Sequence, residues 1–399
     1  MKINKLTSFT VFTAALAGAS AFAGSNDALL DKLVEKGILT QSEATEIASE
    51  IKEESEGIRI STKGKETVKL RFNGRMQFQY DSLGAEYAGA DQASTNHFYF
   101  RRLFLGVKAS LDNGVYAESV FDFARDGDEG DYGVSFDKAI FGYEFSDTFD
   151  VQLGYQKVPF GFEETSSSSK LQTIERSAVN RFFADDIDFS SRHAGIHVSG
   201  DLAAGFSYAV AAVNGAQGEG SRLLGKSEAS NDLALFGRVQ WQADGLTVGL
   251  DAGQQSNNDV VGQDVTAYTG YVNYQLEGLD LLAEYFAADM DGAGDVDGYA
   301  LRAAYRISQF EPVVRYSHIE TDDFVIDVPE LLRRAPEPGS AIDTMLAGDN
   351  ELDSFYFGMN YYYSPAVTFM TGYEIAEGEA ENGDEYEVDG FRARAQVLW

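Results

Sequence analysis

The sequence predicts a membrane-spanning all-β protein: a sixteen-stranded antiparallel barrel, preceded by a short periplasmic helical segment. Three observations predict it. Stretches of alternating apolar and polar residues recur from Thr67 to Trp399. The connections between them are alternately short and long, the pattern of tight periplasmic turns and long outer loops. No segment approaches the ~20 apolar residues that a spanning helix needs, so a membrane crossing has to be made by strands.

The chain opens with Lys2 and Lys5, then a short apolar stretch from Leu6 to Ala19, then Ala21-Phe22-Ala23. A basic start, an apolar core and a small-x-small site mark a secretory signal peptide over residues 1–23. Gly24 is then the expected mature N-terminus. There are no cysteines, which excludes a disulfide framework and thiolate chemistry. The net charge of −33 argues against nucleic-acid binding. It does not signal disorder, because aromatics make up 13% of the chain and disordered chains are poor in them. Tyr (21), Phe (28) and Gly (40) are plentiful while Pro (6) is scarce, as in β structure with tight turns.

Residues 24–57 are the helical part. Leu29, Leu30, Leu33 and Val34 share a face, Gly37 interrupts it, and Thr40-x-x-Glu43 forms a capping box. Ala44, Ile47, Ala48 and Ile51 continue the second helix. The segment reads either as a helical or coiled-coil stalk or as a charged linker.

The barrel domain is expected over 58–399. In the first strand Val68, Leu70, Phe72, Met76, Phe78 and Tyr80 face one side, and Lys69, Arg71, Asn73, Arg75, Gln77 and Gln79 the other. Strands follow near 97–111, 114–124, 134–146, 149–157, 192–200, 204–214, 232–242 and 245–254. The remainder lie near 264–276, 279–289, 297–308, 311–320, 352–363, 366–375 and 390–399. Tyr268, Tyr271, Tyr274, Tyr285, Tyr299, Tyr305, Tyr316, Tyr361, Tyr363 and Tyr373 are read at strand ends and outer faces, where amphipathic rings suit the membrane boundary. The last strand ends on Trp399, with Phe391, Ala393, Ala395, Val397 and Trp399 itself toward lipid. Long acidic connections are expected at 126–131, 289–297, 320–330 and 376–389.

The connection 158–191 is the longest between adjacent strands of the N-terminal half. A structureless connection of such length usually has a function. A barrel of sixteen strands is too wide to be filled by its own side chains and leaves an aqueous channel. An inward-folded loop would narrow it, so 158–191 is read as the constriction.

Alternation places Lys69, Arg71, Arg75, Arg102 and Lys108 inside on the first two strands, and Arg302, Arg306 and Arg315 on the twelfth and thirteenth. Arg392 and Arg394 fall inside on the last. These bases are expected to form one wall that guides anions. Glu118, Asp122 and Glu144 oppose them on strands three and four. Such a basic wall beside an acidic patch makes a transverse field across the opening.

Catalytic chemistry finds little support. His193 and His197 share a face but are about 13 Å apart along a strand, too far for one metal. His318 is read as outward-facing with no partner for a Ser/His pair, and no metal or other cofactor is expected. The acidic run at 126–131 lacks the spacing of a calcium loop.

The leader, "VKLRFNGRMQFQYD", "FYFRRLFLGVKASL", "GYQKVPFGFEETSSSSKLQTIERS", "RHAGIHVSG" and "YAVAAVNG" resemble the phosphate-selective porins O and P of Gram-negative bacteria. The resemblance is strongest from about residue 66 to 215. It implies a trimeric sixteen-stranded outer-membrane barrel among lipid and lipopolysaccharide, carrying small anions. It also implies that serine and lysine groups of the third loop help form the anion site. By residue type these would be Ser166 to Ser169, Lys170 and Arg176, with Lys157 and Arg181 as the other cations of the loop. Glu163, Glu164, Asp185, Asp186 and Asp188 in the same loop weigh against tight phosphate specificity. The expected function is therefore passive diffusion of small hydrophilic solutes with modest anion preference. A structural or adhesive barrel tethered to the cell wall is the alternative, and a barrel enzyme the third class.

Overall fold

The computed structural model describes residues 58–61, 67–87, 91–126, 132–216, 221–224, 232–336, 345–346 and 350–399. The expected signal peptide and helical segment lie outside these residues. The described residues divide between Arg71 and Phe72 into two units. In the first, Ile58–Ser61 pairs antiparallel with Thr67–Leu70.

Among the described residues sixteen strands make the barrel. The first eight are β1 (Thr67–Tyr87), β2 (Asp91–Leu111), β3 (Val115–Asp126), β4 (Tyr132–Ser146), β5 (Phe149–Lys157), β6 (Arg192–Asp201), β7 (Phe206–Asn214) and β8 (Leu233–Ala243). The second eight are β9 (Leu246–Gln255), β10 (Val265–Leu276), β11 (Leu279–Asp289), β12 (Asp295–Tyr305), β13 (Phe310–Thr321), β14 (Asn350–Ser364), β15 (Val367–Ala380) and β16 (Glu385–Leu398). Each pairs with the next in sequence, and β16 closes on β1 with Leu398 opposite Arg75 and Tyr386 opposite Tyr87. Every strand overlaps one read from the sequence.

Several strands run further than their apolar stretch. The acidic segment 376–389, expected as an outer loop, is mostly ladder: Glu377 opposes Asp353 and Glu379 opposes Glu351 on β14, and Glu387 opposes Glu377 on β16. The reason is that backbone pairing needs no apolar side chain. Beyond the membrane both faces of a strand can be polar.

The short connections fall where expected. Asp244-Gly245 and Glu277-Gly278 join their strands in two residues, with φ of 49° and 80°, then 46° and 91°. Positive φ at both positions is the type I′ hairpin, whose twist matches the strands it joins.

The wall is inverted relative to a water-soluble protein. Phe78, Leu105, Phe141, Leu250, Leu301 and Phe357 are exposed on the outside, while Gln77, Gln79, Asp81, Arg392 and Arg394 are buried inside. Tyr268, Tyr285 and Tyr299 lie near the long-loop ends of their strands, and Tyr274, Tyr305, Phe310, Tyr361 and Tyr363 near the turn ends. Apolar side chains between two aromatic rims match a hydrocarbon layer. Tyr271 departs from the expectation. It points inward, and its hydroxyl donates to Gln240 at 3.0 Å, because even-numbered residues of β10 face out.

At the seam, Gly74 and Trp399 exchange two backbone hydrogen bonds of 2.8 and 3.2 Å. The indole lies over Gly74 and leaves no room there for a Cβ. Ending the chain at Leu398, or substituting Gly74→Val to expel the ring, is therefore expected to lower the yield of heat-modifiable barrel severalfold. Gel mobility with and without heating reads the outcome. Wild-type yield from both variants would show that the ring adds nothing to closure.

Candidate functional site: a lumen divided by an infolded loop

Residues 158–191 fold into the barrel. Phe160, Phe182, Phe183, Ile187 and Phe189 of this loop are fully buried. A loop in water has no place for so much apolar surface, and burying each such side chain contributes about 1.5–3 kcal/mol. The wall supplies the matching rings. Phe160 packs on Phe286 at 6.0 Å and Phe183 stacks on it at 5.2 Å, while Phe189 meets Phe236 at 5.2 Å.

Polar anchors then fix the loop across the lumen. On one side Asp251 accepts the Gly161 N–H at 2.9 Å, and Glu284 accepts N–H groups from Phe162 and Asn180. Asn360 donates to the Gln172 carbonyl at 2.8 Å. On the other side Glu175 receives Arg101 at 2.9 Å, Arg394 at 2.8 Å and Gln79 at 3.1 Å. Burial pushes the Glu175 carboxyl up, but the adjoining guanidiniums, Arg101 foremost, hold it well below the usual carboxylate range. Gln77 and Gln396 bond the carbonyls of Ser168 and Ser169, each at 3.1 Å.

A second segment also turns inward. Val328, Leu331 and Leu332 of the connection between β13 and β14 are buried, and Phe324 meets Phe182 at 5.8 Å. Arg181 donates to the Glu330 carbonyl at 2.9 Å, joining the two loops. This differs from the acidic outer loop expected at 320–330. Its one inward signal was the apolar set Val328, Leu331 and Leu332.

Two cavities remain beside the loops. The turn-side cavity, about 660 Å³, is lined by Arg75, Glu118, Lys138, Gln152, Gln156, Lys157 and Ser166 to Ser169, among others. The loop-side cavity, about 480 Å³, is lined by Arg101, Arg102, Asp122, Arg176, Arg181, Arg222, Arg333 and Arg334, among others. Phe104, Asp137 and Arg192 line both.

The expected basic wall is divided in two. Arg302, Arg315, Arg392 and Arg394 point inward as alternation requires, but they are buried beneath the loops rather than open to the cavities. Arg302 pairs with Asp280 at 3.1 Å, Arg315 with Glu374 at 3.0 Å, and Arg392 with Glu374 at 2.7 Å and Asp81 at 3.1 Å. A buried guanidinium needs such partners, because an unpaired charge out of water is far costlier than a paired one. Arg306 lies past the end of β12 in an exposed turn, its guanidinium 3.9 Å over the Tyr362 ring. Lys69 and Arg71 belong to the first unit, the former half-buried and the latter exposed.

The other expected cations differ in exposure: Arg102 and Arg181 are buried, Arg75, Lys108, Lys157 and Arg176 half-buried, and Lys170 exposed. Arg75 reaches Ser167 Oγ at 3.3 Å and stacks on Phe104 at 4.4 Å. Arg102 donates to Gln77 at 2.9 Å, and the Lys108 ammonium sits 4.7 Å over Tyr116. Within the loop, Glu164 is held between Lys157 at 3.0 Å and Arg176 at 2.9 Å. Arg181 pairs with Asp185 at 2.8 Å, and Lys170 is exposed. Of the acids, Glu118 lines the turn-side cavity and pairs with Lys138 at 2.9 Å. Asp122 lines the loop-side cavity, while Glu144 is exposed beside the 147–148 turn. His318 does face outward, but it has a partner, Asp353, at 2.8 Å.

Strict alternation misses several lining residues. Arg101 and Arg102 are consecutive yet both reach inward, and so are Asp137 and Lys138. The "RR" in β2 was a usable signal, since alternation would place one guanidinium in hydrocarbon, at high cost.

The geometry is that of a sixteen-stranded antiparallel barrel with an infolded loop, and known proteins share it. The family model described as phosphate-selective porin O and P matches residues 71–231, the stretch with the infolded loop, and this bears out the resemblance seen in the sequence. An uncharacterized protein of Aquifex aeolicus (strain VF5) is 27% identical over 356 residues, covering 76% of this chain and 82% of its own. The outer membrane channel DcaP of Acinetobacter baumannii superposes with a TM-score of 0.59 at 12% identity, over 86% of this chain and 100% of that one. The anion-selective porin from Comamonas acidovorans gives 0.57 at 14%, over 82% and 99%. OmpT of Vibrio cholerae in its trimer form gives 0.53 at 13%, over 83% and 99%. At these identities the solved structures speak for the fold.

Proposed function

We propose that the protein is an outer-membrane porin, exported by a cleaved signal peptide and assembled as a homotrimer. It passes small hydrophilic solutes with a modest preference for anions. The observation that carries this is the pair of cavities beside the infolded loop, both lined by charged side chains. The loop-side cavity has eight arginines against six carboxylates in its lining. The chain's overall charge of −33 pulls the other way. Many of those acids lie at the loop ends, where salt screens charges beyond about 8 Å. Charges lining a narrow passage are screened much less.

Reversal potentials in a salt gradient test the reading. The wild-type channel is expected to favour chloride over potassium, and Arg75→Glu/Arg192→Glu to reverse the sign. Replacing chloride by phosphate should reduce current moderately without abolishing it. A cation-selective wild type would refute the proposed preference.

A further inference from the structure

A polar strip runs along the inner wall of β3, β4 and β5 on the turn side, and its hydrogen bonds are made within that wall. Tyr116 lies flat across Gly142, where a Cβ would stand 2.3 Å from the ring. The phenol thereby reaches β5 and donates to Asp150 at 2.7 Å. Gln152 Nε2 donates to the same carboxylate at 2.6 Å and to the Tyr116 hydroxyl at 2.8 Å. Gln156 Nε2 donates to Gln152 Oε1 at 2.5 Å.

The carboxylate sets the direction of these bonds. An ionised carboxylate only accepts, so Gln152 has to present its amide N–H to Asp150 and its carbonyl to Gln156. Gln156 in turn presents its N–H. Its own carbonyl is left as the terminal acceptor, with no donor among the described residues. Gln152 and Gln156 both line the turn-side cavity of about 660 Å³, together with Arg75 and Arg192. His197, directly opposite Gln152 on β6, lines it too. It is 7% exposed, and its Nε2 is buried with no hydrogen-bond partner among the described residues. Buried polar atoms are ordinarily paired, so this wall holds hydrogen-bonding capacity that the protein does not use itself.

We propose that the strip is a hydroxyl-recognition site, and that the channel's preferred solutes are small hydroxylated carboxylates such as sugar acids. This rests on the porin reading. The carboxylate of the solute takes the guanidiniums of Arg75 and Arg192, and a hydroxyl of the same molecule donates to Gln156 Oε1. A lone carbonyl acceptor suits an O–H donor and offers nothing to chloride or to the oxygens of a hydroxyl-free anion. The remaining hydroxyls exchange with the amides and the phenol of the strip, which replace the water bonds that a polyol gives up on leaving bulk solvent. Positive charge admits the anion, and the strip sorts anions of equal charge by their hydroxyls.

The test is block of chloride current in planar bilayers by gluconate and by hexanoate, which share charge and carbon number and differ in hydroxyls. In wild type the half-blocking concentration of gluconate is expected to be about tenfold the lower, a difference of ~1.4 kcal/mol. Gln156→Ala should raise the gluconate value severalfold and leave the hexanoate value in place. Gln152→Leu, which removes the group that orients Gln156, should act in the same direction, and it carries the test if Gln156→Ala inserts poorly. Equal block of wild type by the two anions, or gluconate block unchanged in both variants, overturns hydroxyl recognition while leaving the porin reading intact. A folded wild type that does not conduct overturns the porin reading instead.

Discussion

Glu175→Ala is expected to release the infolded loop and raise single-channel conductance. Glu175 is 4% exposed and receives Arg101, Arg394 and Gln79 together. Removing it leaves two guanidiniums unpaired in a buried site, which costs about 3–5 kcal/mol. The loop end from Ser168 to Arg176 should then swing away from β1, β2 and β16. Conductance and protease cleavage within 158–191 both report this, and no change in either would show that the loop is held without Glu175. The pH dependence follows from the same carboxyl. Because its folded-state pKa is depressed, its stabilisation is present above the ordinary carboxylate value of about 4.3. It is lost only as pH falls through the depressed value. Wild-type conductance should therefore stay level from neutral pH to below that ordinary value.

Phe183→Ala is expected to have the second largest effect, with a different signature. The ring is fully buried and touches Phe160, Phe182, Phe189 and Phe286 at 5.2–6.2 Å. Truncating such a ring costs about 3–5 kcal/mol. The loop root should loosen, giving noisier channel currents and faster cleavage near residues 182–189. Unlike that of Glu175→Ala, this change should not respond to salt, since no charge is involved. Quiet currents and wild-type cleavage would mean that Phe160 and Phe189 alone hold the root.

The strands were legible because the physics that sets them is local. A side chain in a wall between water and hydrocarbon has only two directions to point, and residues such as Phe78, Gln77, Leu250 and Trp399 follow that alternation. The loop's inward fold was legible from its length and the lumen's width. What charges do inside was not. Arg392 and Arg75 both fall on the inward face of their strands, yet one is sealed between Asp81 and Glu374 and the other faces the cavity. That difference is set by segments far away in sequence, Glu374 and the connection after β13, and no periodicity reports it. Asp137 escaped for the opposite reason. Its inward turn depends on a single unpaired residue in the ladder with β3, a register detail invisible in one strand alone.

The barrel wall has two unequal halves. The loop is fastened to β8, β9, β11, β13, β14, β16, β1 and β2, while β3 to β6 border the turn-side cavity through Glu118, Lys138, Gln152, Gln156 and His197. One half carries the architecture and, on the proposed reading, the other meets the traffic. A mutation at Gln152 or Gln156 can change what is admitted without loosening the plug, whereas one at Glu374 or Arg392 endangers the whole assembly. Variation within a lineage can therefore explore new cargoes along one side of the molecule while the opposite side stays constrained.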